Sequence, residues 1–328
     1  MTIDTNPEFG IELVLVIPYA YWLHTQGKLD KVITSKGMSP FYYFCDNIEE
    51  KYNYRTVDNH ASGLGSGDDS IIPNTWIYGS KDNAELYKDT WSEWEEFSNV
   101  EKGCGILDYS KWILPNYKEQ FKNNKLKFNK PTIIICNRYN WEHGKPPTGY
   151  FDINCLYNIF NYLTEKGYCV IYKRPKNTEF PLDQNEAHTL NNKETLNANI
   201  EGIGVIDDFE LTKYYKDVYL LDDIVNDNPD LTYNQAQLKL FANAQGFITM
   251  GGGSTLFPCF FQKPTVAYYG GTLNEIERKY FWEDNKGNKN IKNYHYMINP
   301  KLIPFIDKNS IDMNNNYEKF LNILKQTF

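Results

Sequence analysis

The chain has 328 residues, 41% of them hydrophobic and 16% aromatic, which is enough to bury the cores of two ordinary domains. Its 42 acidic and 34 basic residues leave a net charge of −8, which repels polyanions, and the basic residues form no stripe with interleaved aromatics, so nucleic acid is a poor partner. No run of 18 apolar residues occurs and no basic region leads into an apolar segment with a small-residue cleavage site, so a cytoplasmic protein without a transmembrane segment is expected, with peripheral membrane association left open.

In chain order, IELVLVIPYAYWLHTQG (11 to 27) is almost continuously apolar, and its length and the stop at Gly27 favour a helix kinked at Pro18. KVITS (31 to 35) and FYYFC (41 to 45) read as strands, and DNHASGLGSGDDS (58 to 70) as a surface loop. A polar, helical stretch with interspersed tryptophans follows from 81 to 129, and FKNNKLKFNK (121 to 130) reads as an interdomain linker. The expected division is therefore 1 to 129 and 130 to 328, with the last helix, 316 to 327, a candidate to pack back on the N-terminal domain.

The second half is clearer. PTIIICN (131 to 137) is a buried strand, YFDINCLYNIFNYLTEKG (150 to 167) an amphipathic helix with Asp152 as N-cap and Gly167 after its end, and YCVIYKR (168 to 174) the next strand. IGVIDD (203 to 208) and VYLLDD (218 to 223) give short strands, and TYNQAQLKLFANA (232 to 244) a helix. GFITMGGGSTLFPCFFQKPTVAYYG (246 to 270) then reads as a strand, a glycine turn, a short helix capped by Ser254 and a further strand. Alternating strands and helices argue an α/β fold with a parallel sheet covered on both faces.

In such sheets ligands sit at the carboxyl ends of the strands. Polar loops leave this sheet there after Asn137, after Tyr172 and after Met250. The turn Gly251, Gly252, Gly253, Ser254, Thr255 can aim backbone N–H groups past a helix N-terminus, where the macrodipole favours an anion. The plainer alternative is that its glycines only let helix and strand pack closely. Arg138, Lys145, Lys173 and Arg174 all follow strand ends and can face that turn, the alternative being solvated loop charges. The spacing fits neither the dinucleotide nor the P-loop fingerprint. The six cysteines are scattered through apolar runs and read as reduced core residues, and the Asp pairs 68/69, 207/208 and 222/223 as surface charge, so no metal site is expected.

The stretch ANAQGFITMGGGSTLFPCFFQKPTVAYYG resembles the donor-site segment of GT-B glycosyltransferases, most of all their heptosyltransferase-related branch. GIELVLVIPYAYWLHTQGKLD is similar to that branch's first helix, in which a proline follows an acidic residue by six positions, as Pro18 follows Glu12. Two departures stand out: Ile11 separates Gly10 from the acid, and the acid is Glu where Asp is usual. The resemblance implies two Rossmann-like domains with a cleft between them, the first on the acceptor side and the second on the side of a nucleotide-sugar donor. It also implies Glu12 as the general base, while His24 is a second candidate for acceptor contact.

Sugar transfer needs a base for the acceptor hydroxyl and positive groups for the departing diphosphate. D-x-D is absent, so transfer without a metal or cofactor, the nucleotide sugar serving as co-substrate and a glycan as acceptor, is the expected chemistry. A nucleotide-sugar epimerase on the same architecture and a catalytically silent nucleotide-sugar binding protein stay open. Incubation with a panel of nucleotide sugars separates the three.

Overall fold

The computed structural model describes residues 1–6, 9–53, 77–78, 106–107, 113–139, 147, 149–174, 196–251, 253–271, 282–283, 289–290, 298–308 and 317–328. The loop read at 58 to 70, most of the segment from 81 to 129, Lys145 and Gly252 lie outside them. The chain divides into two compact units: Met1–Pro115 with 183–186 and 277–298, and the remainder.

In the first unit three parallel strands lie in the order β1 (Thr2–Asp4), β2 (Lys31–Ser35), β3 (Ile48–Tyr52). The apolar run between β1 and β2 is helical in three pieces: α1 (Phe9–Ile11), a π-helical turn (Glu12–Val16) and α2 (Ile17–Thr25). Pro18 enters at the start of α2. Proline cannot donate to the carbonyl four residues back, and the wider π turn just before it absorbs the mismatch, so the expected kink takes this form. FYYFC does not form a strand. Pro40 opens a 3₁₀ turn (Ser39–Tyr42) that buries Phe41 and Tyr42, and Phe41 packs edge-on against Phe9 with ring centroids 5.5 Å apart. The strand comes later as the charged IEEKY of β3, whose Glu49 pairs with Lys31 at 2.6 Å. Its polar sequence suits an edge position that apolar periodicity does not detect. Two short pairs, β4 (Ile77–Tyr78) with β5 (Ile106–Leu107) and β13 (Trp282–Glu283) with β14 (Lys289–Asn290), are antiparallel.

The second unit is built on six parallel strands: β6 (Thr132–Cys136), β7 (Cys169–Lys173), β10 (Val218–Leu220), β11 (Gly246–Met250), β12 (Thr265–Gly271) and β15 (Leu302–Lys308). They lie in the order β10-β7-β6-β11-β12-β15. Every residue of β6 and β11 is buried, as expected of central strands covered on both faces. β15 has no counterpart in the sequence reading. It carries Pro304, which a strand tolerates at the edge of a sheet. β9 (Gly204–Asp207) does not join this sheet either: it forms a separate hairpin with β8 (Asn197–Ile200).

The helices obey their sequence signals. α4 (Ile153–Glu165) is capped by Asp152, which accepts from the Cys155 N–H at 2.9 Å, and is followed by Gly167 at φ 83°. α7 (Tyr233–Asn243) opens with a Thr232/Gln235 capping box. α5 (Asp208–Thr212) and α6 (Leu221–Asn226) follow β9 and β10. The expected linker is instead docked structure. α3 (Tyr117–Gln120) buries Tyr117 against Phe260 and Phe261, and Asn123 exchanges hydrogen bonds with Asn243 at the end of α7. The last helix, α9 (Tyr317–Thr327), packs within its own unit. Phe320 is buried against Phe151 and Phe305 at centroid distances of 5.4 and 5.6 Å, and each such burial stabilises by about 1.5–3 kcal/mol. Behind it the Tyr168 hydroxyl donates to the Phe328 carbonyl at 2.9 Å.

Candidate functional site

The strand order reverses between β6 and β11: the chain moves from β6 to β7 on one side and from β11 to β12 and β15 on the other. Such a switch point opens a crevice at the carboxyl ends of its two strands. The segment after β6, beginning Asn137–Arg138, and the glycine turn after β11 flank it, and β7, ending at Lys173 and followed by Arg174, lies beside β6.

The structure separates the proposed turn residues by role. The Gly251 N–H donates to Tyr268 O at 2.7 Å, and a Cβ there would lie 2.5 Å from the Tyr269 ring. Gly251 therefore serves close packing, the plainer alternative, and its N–H is spent on the sheet. Thr255 is also turned inward: its hydroxyl donates to Met250 O and lies 2.8 Å from Thr249 Oγ1, with no exposed surface. The helix, α8 (Gly253–Cys259), starts one residue before Ser254, which so lies inside the first turn and not at the N-cap. Gly253 is exposed, with open space where a Cβ would stand. Of the described turn residues, Gly253 and half-buried Ser254 remain to meet a ligand.

Among the basic residues, Arg138 extends along the foot of its own loop, with Nε 3.4 Å from Gly149 O. Gly149 takes a left-handed φ of 61°, a backbone conformation that favours glycine. Lys173 lies on the α7 and α8 side of β7: Nζ donates to Gln237 Oε1 at 2.8 Å and stands 5.9 Å from the centroid of the Phe257 ring on α8. Arg174 is not available to a diphosphate. It is 4% exposed and forms a two-pronged ion pair with Asp208, Nη2 lying 2.7 Å from Oδ1, while its guanidinium sits 4.2 Å over the Phe209 ring. Alternation along a strand sends adjacent residues to opposite faces, so Lys173 and Arg174 part company.

Asp208 also corrects the reading of its pair as surface charge: Asp207 caps α5, but Asp208 is wholly buried and accepts a further bond from the Tyr172 hydroxyl at 2.6 Å. Tyr172 in turn accepts from the Asn137 amide at 2.9 Å, and burial pushes its phenol well above the ordinary range. Lys263, unremarked in the sequence except as part of KPTVA, is 8% exposed, and its ammonium donates to the carbonyls of Phe241, Ala242 and Ala244 at the end of α7. Burial first, then the charge of Lys118, lowers its pKa to about 8. The described cysteines, Cys45, Cys136, Cys155, Cys169 and Cys259, are free and buried, and burial raises the Cys169 thiol to about 12. Among the described residues no three His, Cys, Asp or Glu side chains gather as metal ligands, and no helix is long and apolar enough to cross a membrane.

In the first unit Glu12 stands at the junction of α1 and the π turn. It is wholly buried, with Oε1 accepting from Thr34 Oγ1 at 2.6 Å and from the Tyr42 hydroxyl at 2.7 Å. His24 is exposed near the end of α2, stacked on Tyr21 at 5.9 Å and tilted against Phe44 at 5.5 Å.

No protein-family model matches the sequence, and no curated protein matches it. Solved structures do. An ADP-heptose lipopolysaccharide heptosyltransferase II of E. coli is similar with a TM-score of 0.50 at 11% identity over 99% of this chain and 97% of its own. The E. coli heptosyltransferase WaaC with ADP is similar with a TM-score of 0.48 at 7% identity over 100% of this chain and 98% of its own. At 11% identity the first likeness speaks to the fold alone, and that fold is the GT-B architecture, an α/β chain of two units with parallel sheets.

Proposed function

We propose that this protein is a glycosyltransferase that moves a sugar from a nucleotide-sugar donor to a hydroxyl of a glycan or similar acceptor, without a metal. The observation that carries the reading is the switch point between β6 and β11, with Arg138 at the end of one strand and a glycine turn leading into α8 at the end of the other. A diphosphate placed there meets Gly253, Ser254 and Arg138. Lys173, at the end of β7, adds positive charge for the departing nucleotide. Supporting this are the fold likeness and the fact that the named E. coli relative is itself an ADP-heptose heptosyltransferase. The acceptor belongs to the first unit, with His24 a candidate to contact it, and the reaction takes place in the cytoplasm.

The general base of this reading is Glu12. Thr34 and Tyr42 fix the direction of its carboxylate. Glu12→Gln keeps an acceptor oxygen for both hydroxyls but cannot take a proton, so turnover should fall at least about a hundredfold while donor affinity and melting temperature stay near those of the native protein. Near-normal turnover would assign Glu12 to structure alone. The primary test is incubation with ADP-, GDP- and UDP-sugars and a sugar acceptor in EDTA. Nucleoside diphosphate released only when acceptor is present supports transfer. An isomerised donor, or a strict need for added Mg²⁺ or Mn²⁺, overturns this mechanism.

A further inference from the structure

The buried chain Arg174, Asp208, Tyr172, Asn137 joins the first turn of α5 to the ends of β6 and β7, and every member has a defined hydrogen-bonding direction. Arg174 can only donate, so Asp208 accepts, through both oxygens. An ionised Asp208 obliges the Tyr172 hydroxyl to donate to it, at 2.6 Å. The phenol oxygen is then left to accept, and it does so from Asn137 Nδ2 at 2.9 Å. That fixes which way the Asn137 amide faces. Its Oδ1 accepts the Phe151 N–H at 2.9 Å while Nδ2 also donates to the Phe151 carbonyl at 3.0 Å, as a neighbouring strand would do. All four residues are at most 4% exposed.

The result is a clasp between two segments 14 positions apart. Asn137 holds Phe151, Arg138 reaches Gly149 O, and Tyr139 packs edge-on against Tyr150 with centroids 4.8 Å apart. Arg138 is the cation at the switch point, and the residue before it is the last link of the chain.

We infer that Asp208, Tyr172 and Asn137 form a positioning relay that clasps Asn137 to Phe151 and so holds Arg138 where it meets the diphosphate of the donor. This rests on the proposed function and adds to it a set of residues that act on affinity without touching the ligand. Neither Tyr172 nor Asp208 is a candidate to contact substrate.

The experiment combines Tyr172→Phe, Arg138→Ala and the double variant. It reads binding of ADP, GDP and UDP by calorimetry and exchange of the Phe151 amide by hydrogen-exchange mass spectrometry, with peptides from β11 as an internal control. Tyr172→Phe should exchange at Phe151 at least about tenfold faster with β11 unchanged, and should bind the preferred nucleoside diphosphate about tenfold more weakly. If Tyr172 acts through Arg138, its effect on binding disappears in the Arg138→Ala background, which a general loss of stability would not produce. Additive losses overturn the relay, as does unchanged exchange at Phe151. Should native protein bind none of the three nucleotides, the diphosphate reading falls, and exchange at Phe151 still decides the clasp. Asn137→Asp, isosteric but unable to donate, should reproduce the Tyr172→Phe exchange result, and a native-like result there overturns the relay as well.

Discussion

The two ends of the six-stranded sheet hold their buried polar groups in opposite ways. At the carboxyl end, side chain meets side chain: Arg174 with Asp208, Asp208 with Tyr172, Tyr172 with Asn137. At the amino end side chains finish off backbone. Lys263 takes three carbonyls at the close of α7, Asn123 and Asn243 satisfy each other's main chain, and the Phe328 ring covers Gly246 at the start of β11. At the amino end the bonds close off helix and strand termini, whereas at the carboxyl end the chain of side chains runs on to the Phe151 main chain and ties two separate segments together. The two buried cations show the consequence. Burial is the largest influence on Arg174 and works against its charge, but the bonds to Asp208 and Tyr172 and their electrostatic attraction together outweigh it and raise the guanidinium above its ordinary value. Lys263, bonded to carbonyls and without an ion-pair partner among the described residues, is lowered to about 8 by burial and then by the like charges of Lys118 and Lys122, against a smaller opposing pull from Glu119.

Breaking the carboxyl end should have the largest effect. Arg174→Met leaves Asp208 buried without its cation and should cost about 3–5 kcal/mol in urea denaturation, the penalty of an uncompensated buried charge. A loss under about 1 kcal/mol would mean that the pair is not closed in solution. Next comes overpacking at the amino end. A Cβ on Gly246 would collide with the Phe328 ring and lie 2.7 Å from the Pro264 carbonyl. Gly246→Ala should therefore cost about 1–3 kcal/mol. Phe328→Ala in the same chain should recover part of that loss, because the ring can be removed and the carbonyl cannot.

The effect that is smallest near neutral pH concerns protonation. With Lys263 at about 8 in the folded state and about 10.4 when unfolded, the unfolded chain binds more protons between those values, so this group makes the fold more stable as pH rises through that window. Below about pH 8 both states are protonated and the contribution is flat. Lys263→Met should lose that rise, at most about 1.4 kcal/mol per pH unit, seen as the difference between native and variant urea midpoints from about pH 7 to 10. Parallel curves would show that Lys263 keeps its proton throughout.

What the sequence made legible follows the same division. The central strands, the capping of α4 by Asp152 and the glycine turn could be read because a fully apolar run, an N-cap or a glycine cluster carries its own local cause. The partners of Arg174 and Lys263 could not: Asp208 is 34 residues from Arg174, and the carbonyls that hold Lys263 belong to another element. One signal was present, since strand alternation alone places Tyr172 and Arg174 on one face and Lys173 on the other. Aromatic density misled in the opposite sense from Phe41 to Cys45, where Pro40 turned an apparent strand into a 3₁₀ turn.

The sheet's two outer strands bear on how the protein behaves at high concentration. An open edge invites a second chain to add itself as a further strand. Here one edge, β10, is three residues long, and the other, β15, carries Pro304, which lacks the N–H that a continuing ladder requires. Among the described residues the one edge is short and the other is interrupted by a proline, which disfavours edge-to-edge growth, and Pro304→Val would remove that protection from β15.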